Sequence, residues 1–256
     1  MVDANVLGRL REALVAMKRD KDIEAIVSEK DAVLARFQPI FSPEHVNAIT
    51  AEEFKSFLPF QNNRHWNGLQ RLGPRICDNM QKLQKALITL LDEAQPIDTR
   101  LNAVVSQTFG MGKNIATAIL QIHEPARYGV WNNCSEANLK MLGLWPDFKR
   151  GESFGDKYVK VNQILLKLQD DLKTDLWTLD ALWWYLEGTG SNGPQGKPPP
   201  EGGAEGVATD QRFASLLRRN GNYIVKMVMT KPDMNIHATS AGLICLRNIN
   251  QNRSGW

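Results

Sequence analysis

Residues 109–120 read FGMGKNIATAIL, and this stretch decides the fold more than any other part of the chain. Gly110 and Gly112 predict a tight turn, because glycine adopts backbone conformations that other residues avoid. The isoleucines after the turn recur at helical spacing. The small residues Ala116 and Ala118 allow their helix to pack closely on the helix before it. The pattern therefore predicts two short helices joined by a glycine-hinged turn.

The predicted turn has the chemistry of a phosphate site. The first N–H groups of a helix have no intrahelical partner and carry partial positive charge, so they attract anions. A backbone grip on phosphate positions a nucleic acid without reading its sequence. A plain helix–helix turn is the alternative explanation of the glycines. We take Gly110, Gly112, Lys113 and Asn114 as candidate DNA-contacting residues.

Apolar spacing on both sides of the hairpin predicts helices throughout the body of the chain. Thr50 and Glu53 form a predicted capping box, and Ser42 before Pro43 predicts another helix start. One apolar stripe runs from Ile23 to Leu34. Because no alternating strand pattern interrupts these helices, the fold class predicted for the body is all-α.

Composition divides the chain into four parts. Residues 188–207 are mostly glycine, proline and polar side chains, which predicts a disordered linker. Residues 208–256 form a small basic tail with seven basic and two acidic side chains, either a tail or a small subdomain. Ahead of the linker, we predict N-terminal helices over residues 1–50 that pack on a helical domain over residues 51–187.

Overall composition points to a soluble globular protein. Of the 256 residues, 43% are hydrophobic and 23% are charged. No stretch has the length of a membrane span or the apolar block of a secretory signal, and the three cysteines are far apart. We therefore expect a cytoplasmic monomer without a membrane partner or a clustered metal site. The net charge of +3 is the sum of +5 in the tail and −2 in residues 1–207, so any DNA binding by the body must use a local patch.

The hairpin and its flanks resemble the helix-hairpin-helix DNA glycosylase superfamily that carries a glycine–proline–aspartate loop. The hairpin is followed by a connection, QIHEPARYGVW, and then by a helix that opens at Asn132 and Asn133. Upstream, FLPFQNNRHWNGLQRL is similar to the turn with which this family fills the gap left by an extruded base. The resemblance covers residues 54–187. It implies an all-α fold, binding to double-stranded DNA, hydrolysis of the N-glycosidic bond of a damaged or modified base, and at most a monovalent cation at the hairpin turn.

Two positions depart from the family pattern. Asn114 occupies the position of the lysine nucleophile, and Asn132 occupies that of the catalytic aspartate; asparagine ionises at neither. Lys113 is adjacent but points about 100° away on a helix. Glu136 lies one helical turn after Asn132 and is the candidate substitute carboxylate, with a solvated surface acid as the alternative. The candidate catalytic residues are therefore Asn132, Glu136 and Lys113.

The polar run at residues 61–66 is the second candidate site. Its amide side chains would pair with an orphaned base, and the basic side chains after them would contact phosphates. A polar helix start with its tryptophan in the core is the alternative. The predicted DNA contacts of this run are Gln61, Asn62, Asn63, Arg64 and His65, and the predicted base pocket consists of Trp66, Trp131 and Asn133.

Three functions are compatible with these observations. The first is a monofunctional DNA glycosylase that uses water as its nucleophile, because no amine stands at residue 114. The second is a domain that recognises a modified base without cleavage, as in a restriction or defence system, since neutral amides suit hydrogen bonding to a base edge. The third is a helical scaffold that binds protein. The resemblance favours the first.

Overall fold

A computed structural model describes residues 2–190, 236–238 and 244–246 of the chain. The chain divides into two units, Met1–Asn192 and Gly193–Trp256. The described part of the first unit is entirely helical, which confirms the all-α prediction for the body.

Twelve α-helices and one 3-10 helix make up the body in the part of the chain that the structure describes. They are α1 (Ala4–Met17), α2 (Lys21–Ser28), α3 (Lys30–Phe37), α4 (Ala51–Phe57), α5 (Phe60–Asn63), the 3-10 helix (Leu69–Leu72), α6 (Gly73–Ile76), α7 (Met80–Leu91), α8 (Ile97–Gln107), α9 (Lys113–His123), α10 (Asn133–Met141), α11 (Phe154–Leu172) and α12 (Leu176–Gly190).

Local side-chain caps start several of these helices. The capping box predicted at Thr50 is confirmed: its backbone N–H donates to Glu53 at 2.8 Å, and the Glu53 N–H donates to the Thr50 hydroxyl at 3.1 Å. Asp3 caps α1 by accepting from the N–H groups of Asn5 and Val6. Such caps satisfy N–H groups that the helix itself leaves free.

Two expectations about the N-terminal helices are wrong. The stripe from Ile23 to Leu34 does not lie on one helix, because α2 ends at Ser28 and α3 begins at Lys30. Ser42 and Pro43 do not start a helix: residues 38–48 form consecutive turns. The turns that close there include one from the N–H of Val46 to the carbonyl of Ser42, and they do not extend into a helix, as expected for a short segment that meets the cost of nucleation without propagation.

The predicted linker begins later than expected. Helix α12 continues to Gly190, so it includes the first three residues assigned to the linker. The rest of the linker and most of the basic tail lie outside the described residues. Within the tail, β1 (Ile236–Ala238) pairs antiparallel with β2 (Ile244–Leu246), with His237 opposite Cys245.

The two hairpin helices lie in the core of the body. Every residue of α9 from 115 to 122 is buried, including Ala116 and Ala118 without exposed surface, which agrees with the close packing that small residues allow. Helix α8 packs between α7 and α11. Because the helices are held along their length, the turn between them has a fixed position at the end of the pair.

Among helices within the described ranges, none combines the length and the apolar composition needed to cross a bilayer.

Candidate nucleic-acid interface

The two glycines of the hairpin turn are required for different reasons. Gly110 has φ of +80°, and a Cβ added to it would lie 2.7 Å from Cγ1 of Ile76, so both the backbone conformation and the space exclude a side chain. Gly112 has an ordinary φ of −83°, and a Cβ added to it would meet nothing within 4 Å. The absence of a side chain at Gly112 is therefore not needed for folding and leaves open space beside the turn.

The backbone of the turn offers unused N–H groups at the surface. The first hydrogen bond that closes α9 runs from the N–H of Ala116 to the carbonyl of Gly112 at 3.0 Å. Within the described part of the chain, the N–H groups of Gly112, Lys113 and Asn114 have no acceptor, and all three residues are only partly buried. The predicted anion-binding end of α9 is thus accessible.

A compact ion-pair cluster lies beside this helix end. The Nζ of Lys113 and the Nζ of Lys140 each donate to a different carboxylate oxygen of Glu136 at 2.6 Å. The indole N–H of Trp131 also donates to Glu136, at 3.0 Å. Partial burial acts to raise the pKa of Glu136, but the hydrogen bonds from Lys113, Lys140 and Trp131 outweigh it and lower the pKa to about 2.

This environment does not suit Glu136 to proton transfer. A general base is effective when its pKa lies near the working pH, and a carboxylate with a pKa of about 2 holds a proton too weakly. The structure places Glu136 against Lys113, a contact that the sequence did not predict. In the structure, Glu136 neutralises part of the positive charge of Lys113 and Lys140 next to the hairpin.

Asn132 is occupied by interactions within the protein. Its Oδ1 accepts the N–H of Ser135 at 2.8 Å, which caps α10, and its Nδ2 donates to Oδ1 of Asp180 at 3.2 Å. Asp180 is only 2% exposed, and its other oxygen accepts the indole N–H of Trp66 at 2.9 Å. Burial raises the pKa of Asp180. Both ends of the Asn132 amide therefore have protein partners, and neither is directed to a ligand.

Asn63 and His65, two of the residues predicted to contact DNA, lie in the interior with no exposed surface. The Oδ1 of Asn63 accepts from the backbone N–H groups of His65 and Trp66 at 2.9 and 2.7 Å. The Nε2 of His65 lies 3.1 Å from the carbonyl oxygen of Trp177, and its ring stacks on Trp66. The amide of Asn63 is buried because the backbone after α5 needs its hydrogen bonds, and the ring of His65 is buried because it packs against Trp66 and Trp177.

The remaining residues of this run lie near the surface but face the N-terminal helices. Arg64 pairs with Glu29 at 2.7 Å, and Asn62 accepts from Arg36 at 3.3 Å. Gln61 is exposed. Asn62 also donates to the carbonyl of Ser56 in α4. None of these partners belongs to the hairpin, so the structure does not join the two candidate sites into one surface.

The predicted base pocket is filled by its own side chains. Trp66 and Trp131 are both buried, and the ring of Trp131 stacks on Phe154 with centroids 5.1 Å apart. Asn133 is exposed at the start of α10. An open groove of about 520 Å³ exists elsewhere, lined by Arg100 and Tyr128 among others, where α8 begins and α9 has ended.

Phe109 and Asp180 belong to the site but were not among the site residues predicted from the sequence. Phe109 is 51% exposed at the tip of the hairpin, and the guanidinium of Arg75 lies 3.7 Å from the centre of its ring. A phenylalanine close to an apolar helix is typical of a core residue, but its place directly before a surface turn was a usable signal. Asp180 carried no signal, because its partners are distant along the chain.

Comparisons with known proteins give one match. The sequence matches no protein-family model and no curated protein. Among solved structures, this chain is similar to the crystal structure of the 8-oxoguanine DNA glycosylase of Thermotoga maritima, with 17% sequence identity and a TM-score of 0.43. The similarity covers 70% of this chain and 96% of that chain.

Proposed function

We propose that this protein binds DNA by holding a backbone phosphate at the turn between α8 and α9, and that it does so without hydrolysing the N-glycosidic bond of a base. The supporting observation is the surface-accessible start of α9, where the N–H groups of Gly112, Lys113 and Asn114 have no acceptor in the described part of the chain. A helix start of this kind binds phosphate through amides and the helix dipole. Such a grip is indifferent to base sequence.

The charged groups beside the turn support a modest affinity. Lys113 and Lys140 share one carboxylate, Glu136, so the cluster keeps an excess of one positive charge. Arg75 adds a further positive charge at the hairpin tip. Long-range attraction of this size steers DNA to the turn and weakens as salt is added.

The glycosylase and base-recognition hypotheses lack support at the residues they need. Asn132 is used as a helix cap and as a donor to Asp180, and Glu136 has a pKa of about 2. The tryptophans of the predicted base pocket are packed into the core. Neither a general base nor an open base pocket supports catalysis at this place.

The turn contains donors that fit the monovalent cation implied by the resemblance. Oδ1 of Asn114 and Oγ1 of Thr108 flank the turn, and both are buried without a partner in the described part of the chain. Oxygen ligands of this type suit a hard cation. Bound there, such an ion would add positive charge close to the phosphate.

The proposal is tested by substituting Gly112 by Ala. The added methyl group points into open space, so the only expected cost is the poorer N-cap that alanine makes, about 1 kcal/mol of stability or less. It would stand where the phosphate must approach, and we expect DNA affinity to fall roughly tenfold, the equivalent of one weakened charge-assisted hydrogen bond. Fluorescence anisotropy with a labelled duplex at low salt measures the change.

Gly110→Ala is the matched comparison. Its Cβ would collide with Ile76 in a backbone conformation that alanine rarely adopts, so this variant should lose about 1 to 3 kcal/mol of stability in urea denaturation. If Gly112→Ala binds DNA as tightly as the unchanged protein, the phosphate is not held at this turn. If the unchanged protein binds no DNA even at low salt, the scaffold hypothesis replaces the proposal.

Glu136→Gln should strengthen DNA binding. The substitution removes the carboxylate that neutralises Lys113 and Lys140 and leaves both lysines free to face a phosphate. We expect affinity to rise roughly three- to tenfold at low salt and the slope of affinity against salt to steepen by about 0.9. Weaker binding, or loss of a base-release activity that the unchanged protein possesses, would instead make Glu136 a functional acid.

The same variant should show a pH-dependent loss of stability. The pKa of Glu136 is about 2 in the folded protein and 4.5 as its ordinary value, so its ionised form stabilises the fold above pH 4.5. That contribution disappears as the pH falls towards 2. Glu136→Gln should therefore be less stable than the unchanged protein at pH 7, by at most about 3 kcal/mol, and the difference should vanish near pH 2. Urea denaturation at several pH values measures this.

A further inference from the structure

We propose that the ring of Phe109 stacks on an unpaired nucleobase, so that the protein prefers DNA with a single-stranded gap to an intact duplex of the same sequence. This inference rests on the proposed function, because it assumes that the hairpin contacts DNA. It concerns a side chain that the phosphate grip does not use.

The exposure of Phe109 has no structural explanation in the fold. Of the large hydrophobic side chains that are exposed within the described residues, the others are the aliphatic Val15, Ile88 and Met141, and Phe109 is the aromatic one. Phe109 is 51% exposed, although it precedes α9, a helix in which residues 115–122 are all buried. An aromatic surface in water, beside groups suited to phosphate, points to a ligand with an aromatic face.

One face of the ring is already occupied. The guanidinium carbon of Arg75 lies 3.7 Å from the ring centroid, a cation–π contact that covers one side. Phe109 keeps 51% of its surface exposed, so a base can approach the face of the ring opposite Arg75. A base stacked there would complete a sandwich of base, ring and guanidinium, with the positive charge close to the strand.

The ring is held in place by the packing of its neighbour. Gly110 contacts Ile76 so closely that a Cβ could not be added, and Ile76 follows Arg75 in α6. The tip of the hairpin and the arginine thus form one rigid unit. Phe109 is three residues before Gly112, so the ring and the free amides are within about 10 Å along the chain and can contact the same short stretch of strand.

Stacking of this kind distinguishes unpaired from paired DNA. In an intact duplex each base is already stacked on both faces, and the ring has no face to contact without first unstacking a step. At a gap, a base is free to leave the stack and meet the ring. Aromatic stacking accepts every base, so the preference is for the structure of the DNA and not for its sequence.

The test compares the unchanged protein with Phe109→Ala on two DNAs of the same sequence, one intact and one with a three-nucleotide gap. We expect the unchanged protein to bind the gapped DNA more tightly. Phe109→Ala should bind the gapped DNA roughly 5- to 150-fold more weakly, which is the measured range for loss of one stacked base, and should bind the intact duplex within about twofold. Phe109→Trp, which keeps the aromatic face, should retain the preference.

A 2-aminopurine placed among the unpaired bases opposite the gap gives a fluorescence signal that would not change if Phe109 had only a structural role. The unchanged protein and Phe109→Trp should quench its fluorescence by stacking, and Phe109→Ala should not. Because the ring is exposed, the urea midpoint of Phe109→Ala should equal that of the unchanged protein.

The outcomes separate this inference from the proposed function. If the unchanged protein binds neither DNA, the proposed function fails. If it binds both equally, Gly112→Ala weakens both and Phe109→Ala weakens neither, the phosphate grip stands and the stacking inference is overturned. Equal weakening of both DNAs by Phe109→Ala would also overturn it, because the ring would then be a groove contact of intact duplex.

Discussion

Replacing Asn132 by Asp should destabilise the protein by about 3 to 5 kcal/mol at pH 7, the cost typical of an uncompensated buried charge. The cap of α10 would survive, because aspartate caps helices as well as asparagine does. The loss of stability comes from the other end of the side chain, where an oxygen replaces Nδ2. Where the Nδ2 of Asn132 now donates to Asp180 at 3.2 Å, a second carboxylate oxygen would face the first.

The expected loss depends on pH in a defined direction. Burial already raises the pKa of Asp180, and a second carboxylate beside it would raise the pKa of the pair further. A carboxyl group whose pKa is higher in the folded than in the unfolded state costs stability as the pH rises through that range. The defect of Asn132→Asp should therefore shrink at pH 4, where one carboxyl group is protonated in both states.

Two further variants isolate the cause. Asp180→Asn combined with Asn132→Asp restores one amide and one carboxylate in exchanged positions, so the double variant should recover most of the lost stability. Asn133→Asp places the same charge on an exposed neighbour at the start of α10, where the helix dipole favours it, and should cost nothing. Urea denaturation of the four proteins measures these differences. An Asn132→Asp variant as stable as the unchanged protein would show that Asn132 and Asp180 do not form the contact described here.

This prediction also bears on function. The glycosylase hypothesis treats Asn132 as a catalytic position that has lost its charge. The structure gives it a different task, since Asn132 links the cap of α10 to Asp180, and Asp180 links in turn to Trp66. A carboxylate at residue 132 is incompatible with that network as long as residue 180 is also a carboxylate. We therefore expect Asn132→Asp, even with Asp180→Asn to stabilise it, to release no base from modified duplexes.

The features that sequence alone predicted are those set by neighbouring residues. The capping box at Thr50 needs a partner three positions away, and the hairpin turn needs two glycines with helices on either side. Such signals are local, and so they can be read directly from the order of the residues. Not every local signal gave the predicted element, since Ser42 before Pro43 predicts a helix start where residues 38–48 form turns.

The burial of the polar run could not be predicted in this way. Asn63, His65 and Trp66 lie together in a polar stretch, which is typical of a surface. They are buried because Trp66 donates to Asp180, a residue 114 positions later, and because His65 packs against Trp177. A partner at that separation is known only once the chain has folded. The same reason hid the pairing of Lys113 with Glu136, which lie 23 positions apart.

Gly155→Ala should be the most damaging single methyl group added to this body, with an expected loss of at least about 3 kcal/mol of unfolding free energy. Gly155 is the second residue of α11, and its N–H donates to Oδ1 of Asn102 in α8 at 2.7 Å. A Cβ at this position would overlap the backbone carbonyl of Asp98 and lie 2.6 Å from its Cα. The obstacle is main chain, so no change of side-chain rotamer relieves it, and α8 and α11 must move apart.

The separation of α8 from α11 would also reach the hairpin, because α8 leads directly into the turn that carries Phe109 and Gly112. We therefore expect Gly155→Ala to lose DNA affinity along with at least about 3 kcal/mol of stability, whereas Gly112→Ala should lose affinity with a stability cost of at most about 1 kcal/mol. Gly8→Ala is the control for an added methyl group: nothing lies within 4 Å of its Cβ in the middle of α1, so it should gain about 0.5 to 1 kcal/mol from helix propensity. If urea denaturation finds Gly155→Ala as stable as Gly8→Ala, α8 and α11 do not approach each other closely in solution. In that case the hairpin also lacks the rigid support that this contact would give it.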